Sequence, residues 1–185
     1  MKTTKNTIIT LSCMAFLALN ACKSDSVTAP ANNSELLTTV RLNYKNTANP
    51  TDIVVATWKD LDGAGGAAPI IDNLNLKANT TYNVSVEVLN ESKSPSENKT
   101  PEILAEGTDH QLFYTVTPSN LLTVNYADKD AKNLPIGLLT SQVTQNAGAG
   151  TLKITLKHQP NLKSATSTIN VGESDIEVSF NVTIK

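Results

Sequence analysis

Tyr82-Asn83-Val84-Ser85-Val86-Glu87-Val88 alternates apolar and polar residues at every step. A period of two puts Tyr82, Val84, Val86 and Val88 on one face of a β-strand and Asn83, Ser85 and Glu87 on the other. The same signature recurs in both directions along the chain. Upstream, Thr38, Val40, Leu42 and Tyr44 share a face, with Thr39, Arg41 and Asn43 opposite. Ile53 to Lys59 forms a second strand carrying the only tryptophan, Trp58, and Leu74 and Leu76 mark a short third.

Downstream, Leu112, Tyr114 and Val116 share a face, as do Leu122, Val124 and Tyr126. A weaker strand lies around Val143, between Leu138 and Thr144. Leu152, Ile154 and Leu156 define another, and Ile176, Val178, Phe180, Val182 and Ile184 define the last. Clusters of Gly, Asn, Asp and Pro separate these runs, giving about nine strands. One helical turn is expected at Pro101 to Glu106, with Thr100 as its cap and Pro101 at its first position. Strands with one apolar face must pair sheets face to face. The expected fold is therefore all-β, an antiparallel β-sandwich of immunoglobulin-like type spanning 36–185.

The N-terminus has a different character. Lys2 and Lys5 precede an apolar run from Ile8 to Leu19, broken only by Thr10, Ser12 and Cys13. That run is shorter than the about 20 residues a membrane span needs, and it ends in small or polar residues, as a cleaved signal does. Leu19-Asn20-Ala21-Cys22 resembles a lipobox, which places cleavage after Ala21 and lipid on Cys22. Residues 1–21 then read as a lipoprotein signal peptide and 22–35 as a flexible, polar, Ala- and Pro-containing tether. The other cysteine, Cys13, leaves with the signal, so the mature chain forms no disulfide. Lys23-Ser24-Asp25 resembles a surface-export signal but lacks a run of acids, which leaves the periplasmic face and the cell surface both open. Asp25-Ser26-Val27 resembles a bacterial O-glycosylation pattern, with Ser26 as acceptor.

Processing leaves 13 Lys and Arg against 17 Asp and Glu, a formal charge near −4. Arg41 is the only arginine and aromatics are few, so no basic, aromatic-interleaved patch for nucleic acid exists. The expected partners are the membrane, through Cys22, and an outer-membrane receptor or transporter.

Several stretches resemble a family of small Bacteroidota lipoproteins. They are Lys59-Asp60-Leu61-Asp62-Gly63, Leu89-Asn90-Glu91, Asp109-His110-Gln111-Leu112-Phe113-Tyr114 and Tyr126-Ala127-Asp128-Lys129-Asp130. Leu134-Pro135-Ile136-Gly137-Leu138, Gly150-Thr151-Leu152, Leu156-Lys157-His158-Gln159-Pro160 and Glu173-Ser174-Asp175-Ile176-Glu177 complete the set. Members of that family carry the label "type 1 periplasmic binding fold superfamily protein". A fold of that type needs two α/β lobes, and these residues have almost no helical periodicity. The resemblance implies an outer-membrane lipoprotein and brings no activity with it.

His110 and His158 are the only histidines, one opening its strand and the other closing its own. In antiparallel strands both imidazoles reach one end of the sandwich, and with Asp109 they would suit zinc or a similar metal. The alternative is two strand-end histidines, each hydrogen-bonded to a loop. Asp60 with Asp62, and Asp128 with Asp130, have a spacing that can converge on calcium. The alternative there is aspartate-capped turns. Glu173, Asp175 and Glu177 are expected on one strand face. No Gly-x-Ser-x-Gly, His-Glu-x-x-His, phosphate loop or mature thiol is present, so the chain does not read as an enzyme. It reads as a non-catalytic binding or accessory lipoprotein without a cofactor, with a metal-handling protein using the two histidines as the alternative.

Overall fold

Residues 36–63 and 65–185 are described by the computed structural model. The signal at 1–21, the tether at 22–35, Cys22 and Ser26 lie outside the described residues. In chain order the elements are β1 (Thr39–Asn46), β2 (Ile53–Lys59), β3 (Ile70–Ile71), β4 (Leu74–Leu76), β5 (Thr81–Asn90) and β6 (Glu97–Asn98). Then follow α1 (Thr100–Ala105), β7 (His110–Thr117), β8 (Leu122–Tyr126), β9 (Leu139–Thr144), β10 (Gly148–His158) and β11 (Glu173–Ile184).

The strands form two sheets. One runs β3-β2-β1-β5-β9-β8, with β6 paired to β5, and the other runs β4-β11-β10-β7. The inward faces are those that alternation selects. Val40, Leu42, Tyr44, Tyr82, Val84, Val86 and Val88 of the first sheet join one core with Leu152, Ile154, Leu156, Val178, Phe180, Val182 and Ile184 of the second. Each large side chain fully withdrawn from water contributes about 2 kcal/mol before cavity effects. The described residues thus form an all-β sandwich, and among them the strands pair antiparallel with one exception, since β4 lies parallel to β11. That edge pairing joins strands remote in sequence, so no hairpin turn imposes direction on it.

Four local details add to the sequence reading or correct it. Among the described residues there are eleven strands against the about nine expected, because Ile70–Ile71 and Glu97–Asn98 are too short to show alternation. Thr100 does not cap α1: Lys99 occupies that position without a side-chain cap bond. The Thr100 hydroxyl instead accepts the Val88 N–H at 2.9 Å, tying the helix start to β5. In β9 the inward face is Thr140, Gln142 and Thr144 rather than the face of Val143. These polar groups are buried because each finds a partner. Tyr44 donates to Gln142 Oε1 at 2.7 Å, Gln142 Nε2 donates to Thr140 at 3.1 Å, and Thr144 donates to the Lys77 carbonyl at 2.6 Å. Finally, Glu173, Asp175 and Glu177 do not share a face. Lys157 pairs with Ser174 but Leu156 pairs with Ile176, which makes Asp175 the extra residue of a β-bulge and reverses the phase across it.

Candidate functional site

Three connections meet at one end of the sandwich: the α1–β7 turn, the β8–β9 loop and the β10–β11 loop. The antiparallel register of β7 and β10 sets His110 directly opposite His158. Their rings stack with centroids 4.8 Å apart and planes 17° from parallel. The bulge in β11 turns Asp175 toward this pair, so that its Oδ2 lies 3.5 Å from His110 Nε2. His110 Nδ1 lies 3.2 Å from the Glu106 carbonyl and 3.7 Å from Glu106 Oε2. Burial alone would push the His110 imidazolium toward deprotonation. Asp175, and after it Glu106, outweigh that penalty and hold the His110 pKa above its ordinary value of 6.5. Both ring nitrogens face acceptors, the arrangement that suits a cation.

The structure therefore brings together His110 and His158, as the strand ends implied. It does not bring Asp109 to them as a ligand. The Asp109 carbonyl accepts the Gln159 N–H at 2.6 Å, which closes the β10–β11 loop onto β7. Zinc sits about 2.0–2.1 Å from each ligating nitrogen, along the in-plane lone pair. Near-parallel stacked rings aim those lone pairs side by side rather than at one point. Among the described residues, no group of three or more His, Cys, Asp or Glu is placed to hold a metal ion.

Beneath the histidines lies a buried charge pair that sequence reasoning missed. Lys163, in the β10–β11 loop, sits with its Nζ 2.8 Å from Asp130 Oδ2 of the β8–β9 loop. The two side chains are 0% and 1% exposed, so both charges are out of water. Lys163 Nζ donates to the carbonyls of Gly107 at 2.6 Å and His110 at 2.9 Å. Asp130 Oδ1 accepts the N–H groups of Lys132 at 2.7 Å and Leu134 at 2.9 Å. Burial pushes the Asp130 carboxyl up, but the Lys163 ammonium and the two backbone donors prevail and hold it below the usual carboxylate value. Removing one partner of such a pair costs about 3–5 kcal/mol. Gly172, at the far end of the same loop, has φ +73°, and a Cβ there would lie 2.2 Å from the His158 carbonyl.

Asp60, Asp62 and Asp128, the other aspartates with calcium-like spacing, cap turns. Asp60 Oδ1 accepts the Gly63 N–H, and Asp62 Oδ2 accepts the Ala67 N–H, each at 2.9 Å. Asp128 Oδ1 accepts from Gly137 at 2.7 Å and its Oδ2 from Leu139 at 2.9 Å, fixing the β8–β9 loop. Their oxygens serve the backbone, as aspartate-capped turns require.

A second feature lies on the outward face of the larger sheet. The central strands β1 and β5 carry short polar residues there, Asn43, Asn83 and Ser85, while flanking β2 and β9 carry Ile53 and Leu139. Small residues between large ones leave a groove of about 460 Å³, closed at one side by Ala127 and bordered by Lys45. Ile53 is 58% and Leu139 49% exposed, so its aliphatic rims stand in water. A volume of this size falls in the range of small-ligand clefts.

No family model, no curated protein and no solved structure matches this chain. The histidines and the groove-floor strand β5 were legible in the sequence. Lys163 was not, because a lysine in a loop reads as solvated, and only the meeting of three loops buries it. Asp175 was visible as one of three alternating acids, but its inward turn depends on a bulge that has no local signature.

Proposed function

We propose that this protein is a lipid-anchored, non-catalytic, immunoglobulin-like binding module of the bacterial outer membrane. The observation that carries the reading is the groove of about 460 Å³ on the open face of the β2-β1-β5-β9 sheet, with exposed aliphatic rims and a short polar floor. A monomeric surface has little reason to keep large aliphatic side chains in water around a concavity unless something covers them. The lipobox-like Leu19-Asn20-Ala21-Cys22 supports attachment to the membrane, and the polar segment 22–35 gives the domain reach to a neighbour such as a receptor or transporter.

Mild crosslinking in membranes, followed by affinity recovery of the chain, tests this reading. An envelope partner should be recovered, and Ser85→Trp, which fills the groove floor from the solvent side, should abolish its recovery. Recovery of the chain alone, or a partner indifferent to Ser85→Trp, refutes the reading. The metal-handling alternative draws on the pairing of His110 with His158 alone. Zinc titration of the wild-type chain against His110→Ala/His158→Ala decides it.

A further inference from the structure

We propose that Lys163 and Asp130 are joined by an intramolecular isopeptide bond, formed from the buried ion pair after folding. The two groups that must react already touch, with Nζ 2.8 Å from Oδ2 and both side chains at most 1% exposed. Lys163 donates two of its three ammonium hydrogens to the Gly107 and His110 carbonyls, which leaves the third for the carboxylate oxygen Oδ2 beside it. The two carbonyls thus fix the nitrogen in position beside the carboxyl group. Holding reactants in this way removes most of the entropic barrier to their combination.

The carboxylate is held in a manner that suits attack on its carbon. Asp130 Oδ1 accepts the backbone N–H groups of Lys132 at 2.7 Å and Leu134 at 2.9 Å. Two fixed donors on that oxygen form an oxyanion hole for the tetrahedral intermediate.

The step balances without any other reactant. One ammonium proton passes from Nζ to Oδ2, converting the ion pair to amine and acid. Withdrawal from water brings that neutral pair closer in energy to the charged one. The amine lone pair then forms the Nζ–Cγ bond, and the carbonyl electron pair moves onto Oδ1. A second proton passes from Nζ to Oδ2, the Cγ–Oδ2 bond breaks, and Oδ2 leaves with both protons as water. Nothing is oxidised or reduced. The product amide ties the β8–β9 loop to the β10–β11 loop. Because both side chains are out of solvent, water for the reverse hydrolysis is kept away.

The test is the intact mass of the denatured chain, compared with that of Lys163→Arg made in the same way and carrying the same N-terminus. The wild-type chain should be lighter than its sequence requires by one water. Its protease digest should contain one branched peptide joining the segment of Asp130 to that of Lys163. Lys163→Arg should have its full sequence mass, and so should Asp130→Ala. The branched peptide separates this outcome from loss of water by cyclisation at an aspartate, which leaves a linear peptide and overturns the proposal. A wild-type chain at full sequence mass after prolonged incubation, with linear peptides covering Asp130 and Lys163, overturns it equally. Because the decisive measurement is made on the wild-type chain, a variant that fails to fold does not weaken the test.

Discussion

Replacing Tyr44 by Phe should destabilise the domain by about 2 kcal/mol, although only one oxygen is removed. Tyr44 is 0% and Gln142 1% exposed, and they stand on strands far apart in sequence, joined by the 2.7 Å bond from Tyr44 Oη to Gln142 Oε1. Burial raises the Tyr44 pKa against the smaller opposing effect of Gln142, so the phenol remains a neutral donor throughout the physiological range. Without the hydroxyl, Gln142 Oε1 stays buried with no donor from Tyr44. A stranded buried acceptor costs about 1–3 kcal/mol. Gln142 Nε2 remains anchored on Thr140 at 3.1 Å, which hinders the amide from turning away. In urea a loss of about 2 kcal/mol lowers the midpoint by roughly 1 M for a domain of this size. In heating, the same loss lowers Tm by about 4–8 °C. The double variant Tyr44→Phe/Gln142→Leu removes both partners, and its loss should fall short of the sum of the single losses by about 1–2 kcal/mol. A Tyr44→Phe midpoint within error of wild type, or single losses that simply add, would refute the claim that this bond secures the polar face of β9.

Stability should also depend on pH through His110. Its folded pKa is held above the ordinary 6.5, so its contribution is complete below 6.5 and is lost as pH rises through the raised folded value. Urea midpoints measured across that window should fall with pH in wild type and flatten in His110→Gln; an unchanged slope would count against the Asp175 and Glu106 assignment. Asp128→Ala removes the acceptors for the Gly137 and Leu139 N–H groups and should cost about 1–3 kcal/mol, with hydrogen exchange rising first at those two amides. Gly172→Ala forces a side chain into positive φ and against the His158 carbonyl, and should cost about 1–3 kcal/mol or more; a thermal midpoint equal to wild type would show that the loop adapts freely.

Alternation alone determined most of this fold. A residue such as Val84 or Phe180 has its face set by its two neighbours, and burial of one face forces two sheets to meet. That is local information, and it reached the sandwich, the strand ends and the meeting of His110 with His158. Where the apolar signal was missing, the sequence misled or was silent. In β9 the inward residues are Thr140, Gln142 and Thr144, and their burial depends on partners such as Tyr44 and Lys77 that lie remote in sequence. The two-residue strands are too short to carry a period, and the bulge that turns Asp175 inward arises from the pairing of β10 with β11. The Lys163–Asp130 pair depends on three loops converging, and the groove depends on the order β2-β1-β5-β9, which sets large residues on either side of small ones. Residue type and spacing fix which face of a strand avoids water; only the tertiary arrangement decides which buried charges and open faces come together, because those energies belong to pairs of segments rather than to either segment alone.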